Sequence, residues 1–263
     1  MKAKRSRPSA KRARPSRPAS RPGARKSRAA RPLITTVIFD LDDTLYDCFK
    51  QRVQLAHRHA AAAMVEAGVA ATVDQVFKVR MSAFKKDPHL HYIDSQVFRR
   101  FKVSNPQQVE MLARAAYFST PVGKLTLFPS SLHVLRTLAA RGVRNFIVSF
   151  GDPETQHAKV MALGLHEEKS VKKIFYADTG NLMTKDAIFM VIHQHEEKDP
   201  QRILVVGDRA SSEIKAGNAL GFHTARLRHG EFLALDPAGP EEEPDHNIHS
   251  IGDVLRLPYR FGK

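Results

Sequence analysis

From residue 33 onward the chain alternates between two spacings of apolar residues. Short, nearly unbroken runs rich in β-branched residues, LITTVIF (33–39), RNFIVSF (144–150), KIFYA (173–177), RILVVG (202–207) and HTARL (223–227), have the composition of strands covered on both faces. Elsewhere apolar positions recur at steps of three and four. Phe49, Val53, Ala56, Ala60, Met64 and Ala67 make one stripe that Gly68 closes, and Val73, Val76, Phe77, Met81 and Phe84 make another, ended by Asp87-Pro88. A third helix is predicted from about Pro106, with proline in its first turn, to Phe118. A crossover helix is predicted over SSLHVLRTLAARG (130–142), with Leu132, Leu135 and Leu138 inward and Gly142 as its stop.

Alternation of this kind builds a parallel sheet with helices on both faces. The gap of about a hundred residues between the first two strands is too long for one crossover. The expected fold is therefore α/β: a Rossmann-like three-layer parallel sheet core from 33–47 and 121–263, an inserted all-helical cap at 48–120, and a basic tail at 1–32. No repeat of fixed period interrupts this pattern.

Charge changes the picture at one end only. The 263 residues carry a formal +15, but thirteen Lys or Arg and no acid lie in residues 1–32, which leaves the remainder at only +2. With prolines at 8, 15, 18, 22 and 32 and no large apolar residue after Met1, that segment is expected to be disordered. A flexible basic arm is an electrostatic ligand for polyanions, so non-specific nucleic-acid contact through residues 1–32 is one expectation. A cleaved Arg- and Ser-rich targeting segment is another. Cys48, the only cysteine, excludes an internal disulfide and a cysteine-rich zinc site. No apolar run approaches 18 residues, and the expectation is a soluble, cytoplasmic protein without membrane contact.

Candidate chemistry collects at strand ends, where ligands of parallel sheets bind. The first strand runs into Asp40, Leu41, Asp42, Asp43 and Thr44. Asp40 and Asp42 are two apart, so extended backbone points both to one side, and their repulsion calls for a cation. The strand ILVV delivers Gly207 and Asp208, with Glu213 a helical turn further on. Carboxylates plus a backbone carbonyl suit Mg²⁺, a hard ion that takes oxygen ligands. Ser149 ends the second strand with a hydroxyl, and Lys185 follows the third by one loop. Carboxylates, a metal, a hydroxyl and a lysine converging on one point describe phosphoryl transfer to a carboxylate nucleophile. Asp43 and Asp47 read as turn and cap-hinge residues, Asp47 as an N-cap. The pairs His57/His59, His89/His91 and His193/His195 have the wrong spacing for zinc on a helix face.

DLDDT (40–44), NFIVS (145–149), Lys185 and VVGDRASSEI (205–214) together resemble the four motifs of the haloacid dehalogenase superfamily of phosphohydrolases. The helical insertion resembles the cap of members acting on small metabolites, and GDRASSEIKAGNALG with RLRHGEF looks like members near the pyrimidine nucleotidases. The resemblance implies Asp40 as nucleophile and Asp42 as general acid and then base. It implies Ser149 and Lys185 as phosphate-binding residues, with Lys173 as the alternative lysine. Mg²⁺ would be held by Asp40, Asp208 and the Asp42 carbonyl, with Glu213 behind. Retention of Asp42, which the dehalogenases lack, favours a phosphatase over a dehalogenase. Cap cations such as Lys50, Arg99 or Arg100 could read the leaving group. The expected function is Mg²⁺-dependent hydrolysis of a small phosphorylated metabolite, a nucleotide or sugar phosphate, through an aspartyl phosphate. The alternative is a nucleic-acid-associated protein that uses its basic tail and has a secondary or inactive core.

Overall fold

A computed structural model of the chain describes residues 31–178 and 183–262; residues 1–30, most of the basic segment, lie outside them. The sheet runs β1 (Leu33–Ile34), β2 (Thr36–Phe39), β3 (Arg144–Phe150), β4 (Val171–Ala177), β5 (Ile203–Gly207), β6 (His223–Leu227), β7 (His246–Ile248) and β8 (Arg260–Phe261). Six of these form one all-parallel sheet in the order β4-β3-β2-β5-β6-β7, while β1 pairs with β8 in a separate parallel ribbon. The run 33–39 is thus two strands rather than one, broken at Thr35. The short strands β7 and β8 carry no apolar run long enough to announce them.

Alternate residues of each central strand serve opposite layers, as a pleated strand requires. Val37, Phe39, Ile147, Leu204 and Val206 pack with Val134, Leu135 and Leu138 of α5 (Ser131–Ala140) and Val160 of α6 (Pro153–Ala162). Ile38, Phe146, Val148, Ile203 and Val205 pack instead with Ile188, Phe189 and Ile192 of α7 (Lys185–His195) and Ala216 of α8 (Lys215–Ala219). Three layers result. Gly217 of α8 is needed for close helix-to-sheet approach, because a Cβ there would stand 2.8 Å from the Thr224 methyl and 3.2 Å from Val205.

Between β2 and β3 the chain makes a wide turn, Phe49–Val53, and four helices: α1 (Gln54–Glu66), α2 (Val73–Phe84), α3 (Leu90–Arg100) and α4 (Pro106–Phe118). The local signals explain their ends. Thr72 and Gln75 form a capping box at the start of α2, and Asn105 caps α4 with Pro106 in its first turn. Helix α3 was not forecast from spacing, because its buried residues are Ile93, Asp94 and Val97, an apolar stripe interrupted by a carboxylate.

That carboxylate answers a second buried charge. Arg80 of α2 is 1% exposed and Asp94 fully buried; the guanidinium donates to Asp94 and lies 3.3 Å from Nδ1 of His57 on α1 and 3.5 Å from the Met64 sulfur. Three helices are pinned to each other by one cation. Burial first, and then the neighbouring guanidinium, push His57 down to about 3.

Two outcomes follow from this cluster. Asp94→Ala strands a buried cation and should cost about 3–5 kcal/mol in denaturant unfolding, whereas Arg80→Met with Asp94→Leu should recover most of the loss. His57, depressed from an ordinary 6.5 to about 3, contributes stability that is complete above pH 6.5 and is lost as pH falls towards 3, at about 1.4 kcal/mol per unit of depression. Melting curves of His57→Gln between those values should therefore lose part of their acid slope.

Candidate active site

The register of the sheet assembles the site. Phe39 pairs with Val206 on one side and Ile147 on the other, and the Asp40 amide donates to the Val206 carbonyl at 2.9 Å, carrying the pairing one residue past β2. Asp40 is thereby set beside the end of β5, with Asp208 just beyond. Both are nearly buried, at 6% and 5% exposure.

Lys185, the first residue of α7, enters this cluster from the side. Its ammonium donates to Asp40 Oδ1 at 2.6 Å and to a Glu213 oxygen. Thr44 Oγ1 donates to the other Asp40 oxygen at 3.3 Å. Burial, then the charges of Glu213 and Asp42 against the pull of Lys185, raise Asp40 above the usual carboxylate range. Asp208 is raised well above it by burial and by Glu213, Asp40 and Asp43. Burial would lower Lys185, but Asp40 and Glu213 hold it above its ordinary value.

Asp42 has different company. Its Oδ2 accepts from Lys159 of α6 at 2.6 Å and its Oδ1 from the Tyr46 hydroxyl at 2.7 Å. Burial works to raise it, yet Lys159 and Tyr46 prevail and hold it below the usual range. Two carboxylates two residues apart are thus driven in opposite directions.

Gly207 and Gly151 shape the floor. A Cβ on Gly207 would come within 2.8 Å of the Glu213 side chain, and one on Gly151 within 2.5 Å of the Gln156 amide nitrogen. Buried Arg226 of β6 donates to the Asp208 carbonyl at 2.9 Å and to the carbonyls of Phe232 and Leu235, tying the end of β5 to the loop after β6.

Asp43 belongs to the joint below the site. Its backbone is left-handed, with φ of 54°, and among the described residues it is the one non-glycine so placed. Its carboxylate accepts from the Phe49 amide at 2.9 Å and the Glu231 amide at 3.0 Å, contacts that offset roughly 1–3 kcal/mol of strain. A Cβ on Gly230 would collide with that carboxylate at 2.1 Å.

These groups open on a cavity of about 370 Å³ between the strand ends and the helical insertion. Asp40, Asp42, Lys159, Lys185, Asp208 and Glu213 line it from the sheet, and Arg52, Val53, Ala56, Tyr117 and Phe118 line it from the helices. The donor set fits a divalent cation. Lys185 is bound by Asp40 and Glu213, and the Asp208 carboxylate beside them accepts no hydrogen bond from the described residues, so acid outnumbers base at this strand end. Their oxygens do not close to within 4.8 Å of one another. Among the described residues the group that does is Asp43, Asp47 and His229, whose carboxylates already accept from Phe49, Glu231 and Lys50.

Comparison with known proteins decides the family. A haloacid dehalogenase-like hydrolase family model matches residues 34–221. The chain belongs to the haloacid dehalogenase-like hydrolases. It is 26% identical over 235 residues to glyceraldehyde 3-phosphate phosphatase of Methanopyrus kandleri, covering 88% of this chain and all of the relative. It is 23% identical to ribulose-1,5-bisphosphate 5-phosphatase of Halopiger xanaduensis, over 86% and 99% of the two chains. Among solved structures, a magnesium-bound HAD-hydrolase from Bacillus subtilis shares the fold with a TM-score of 0.58 at 19% identity, over 86% of this chain and 98% of that one. A predicted phosphoglycolate phosphatase from Haemophilus somnus does so with a TM-score of 0.60 at 16% identity, over 85% and 97%.

Within this haloacid dehalogenase-like frame the expected residues separate. Asp40, Asp42, Lys185, Asp208 and Glu213 meet at the cavity. Lys173 does not: it is exposed on β4, its ammonium 4.7 Å from the centre of the Phe175 ring. Ser149 is buried outside the lining and donates its hydroxyl to Gln156 Oε1 at 2.8 Å, because the Gln156 carboxamide folds over Gly151 onto the strand end. Lys50 is exposed and paired with Asp47, while Arg99 and Arg100 line a separate hollow of about 620 Å³ between α2 and α3. Asp43 is a buried turn residue, and Asp47 caps the turn at Lys50.

Lys159, Gln156, Arg52 and Glu231 line the cavity without having been singled out by spacing or motif, whereas Tyr46, of the hinge stretch TLYDCF (44–49) that could read the leaving group, is bonded to Asp42 instead. For two of them a signal existed. Asp152-Pro153 starts a helix directly after β3, and Gln156 and Lys159, three apart on it, share the face that meets the strand end. Among the described residues no helix is long and apolar enough to cross a membrane.

If Lys159 is what keeps Asp42 ionised, Lys159→Met should raise the Asp42 carboxyl towards or above its ordinary value. A carboxyl-carbon NMR titration of the folded variant would read that upward shift.

Proposed function

We propose that this hydrolase is a Mg²⁺-dependent phosphatase of small phosphomonoesters, working through an aspartyl phosphate on Asp40. The observation carrying the reading is the pair Asp40 and Asp42 on one strand end, each held by its own lysine, 2.6 Å away in both cases. In this reading one of the two carboxylates attacks and the other transfers the proton.

In this reading the substrate's phosphoryl group lies over Asp40, and Lys185 balances its charge. A bond forms from an Asp40 oxygen to phosphorus as the bond to the leaving oxygen breaks, and the leaving oxygen takes its proton from Asp42. For that step Asp42 must hold a proton, so its contact with Lys159 gives way when the anion enters and draws the ammonium to itself. In the second step Asp42, again ionised beside Lys159, removes a proton from the water that attacks phosphorus; the Asp40 O–P bond breaks, phosphate leaves, and Asp40 is a carboxylate again while Asp42 keeps the proton for the next turnover. Ser149 can hold a phosphoryl oxygen only after its hydroxyl exchanges Gln156 for the anion.

Mg²⁺, held by Asp40, Asp208 and the Asp42 carbonyl with Glu213 behind, would supply neutralising charge to the phosphoryl oxygens. Residues 48–120 act as the cap over the cavity, excluding water and large substrates. The curated relatives named for glyceraldehyde 3-phosphate and ribulose-1,5-bisphosphate support a sugar phosphate or similar metabolite in preference to a nucleotide.

Asp40→Asn should abolish phosphate release, and Asp42→Asn should slow it by about a hundredfold or more. Chelation of divalent ions should abolish it as well, with recovery on adding Mg²⁺. Unchanged turnover by folded Asp40→Asn protein would overturn the mechanism.

A further inference from the structure

We infer that Arg52 reads a second anionic group, a carboxylate or a second phosphate, on the substrate's leaving group. The inference rests on the phosphatase reading above and names the class of phosphomonoester that the cavity takes.

Four cations line the cavity: Arg52, Lys159, Lys185 and Arg209. Lys159 is committed to Asp42, and Lys185 to Asp40 and Glu213. Arg209 donates to the Ser211 hydroxyl at 3.3 Å and lies over the Phe232 ring at 4.4 Å. Arg52 alone among them has neither a hydrogen bond nor an ion pair to the described residues, and its Nη1 is buried without a partner. Burying an unpaired guanidinium nitrogen is costly, and a ligand anion would remove that cost.

The surroundings say which end of the substrate this is. Arg52 stands with Val53, Ala56, Tyr117 and Phe118 on the helical wall, which contributes no acid to the cavity, whereas the carboxylates of the reaction lie on the sheet wall. The phosphoryl group belongs at the sheet wall, so the leaving group meets Arg52. Apolar neighbours lower the local dielectric and strengthen the pairing of a guanidinium with an anion.

Arg52 is also held in advance of binding. Its turn is anchored on one side by the Phe49 amide on Asp43. On the other, Gln51 donates to the Thr126 carbonyl at 2.9 Å and accepts from the Thr126 amide at 2.8 Å. A cation carried on an anchored backbone discriminates between leaving groups better than one on a free chain.

The test uses non-hydrolysable phosphonates, so that binding is read apart from turnover. Calorimetric titration of the full chain with Mg²⁺ would compare ω-carboxy phosphonates from phosphonoacetate to 4-phosphonobutyrate, an α,ω-bisphosphonate, and alkyl phosphonates of matching length. The expected result is roughly 10- to 100-fold tighter binding of whichever anion-bearing series fits, lost in Arg52→Met and partly kept in Arg52→Lys. Preference for the carboxy or the bisphosphonate series identifies the anion. Lys50→Ala, an exposed neighbour, should keep the wild-type ratio. Equal binding of charged and uncharged series, or a preference that survives Arg52→Met, overturns the inference. Turnover of p-nitrophenyl phosphate is measured in parallel: its absence would sink the phosphatase reading while the phosphonate ratios still decide the role of Arg52.

Discussion

The Lys185 ammonium is where the sheet's geometry and the site's charge meet. Parallel pairing of β2 with β5 brings Asp40 and Asp208 to one place, and Glu213 is folded back onto it from the turn that follows. Three carboxylates so nearly buried would otherwise repel one another and sacrifice their ionisation. Lys185 reaches two of them from the start of a helix whose own apolar face, through Ile188, Phe189 and Ile192, is packed under the sheet. The helix therefore sets the position of the cation, and the cation permits the acidic strand ends. One ammonium does not balance three carboxylates, and the remaining deficit is what makes the place receptive to a divalent ion.

Asp42 shows the same chemistry tuned the other way. It sits two residues from Asp40, yet Lys159 and Tyr46 keep it ionised where burial raises its neighbour. Two neighbouring carboxylates are thus given different environments by two lysines arriving on two helices that pack on opposite faces of the sheet. The three-layer architecture thereby sets the charge at this strand end, each layer delivering one of the two cations.

Much of this was legible in the sequence because it is local. Unbroken β-branched runs mark the strands, and aspartates two apart at a strand end mark the site. Lys185 could be named, with Lys173 as rival, because it closes the loop after β4. What stayed hidden depends on distance in space rather than along the chain. Helix α3 was masked because Arg80 demands a buried Asp94 in what would otherwise be an apolar stripe. Ser149 read as an open hydroxyl because nothing local reveals that Gln156 folds over Gly151 to take it. Cap cations chosen for proximity in sequence, Lys50 and Arg99 among them, lie away from the cavity, whereas Arg52 lines it because its turn is clamped to Thr126 some seventy residues later.

The joint at Asp43 carries a consequence for how such a protein can diversify. A single side chain holds its own left-handed backbone, the first amide of the insertion at Phe49, and the loop at Glu231. The stretch from Phe49 through α4 thus starts from a fixed hook. One wall of the cavity, from α1 to α4, and its acidic floor at the strand ends are therefore built by separate stretches of chain joined at this point, and a change of length in the first leaves the hook itself in place.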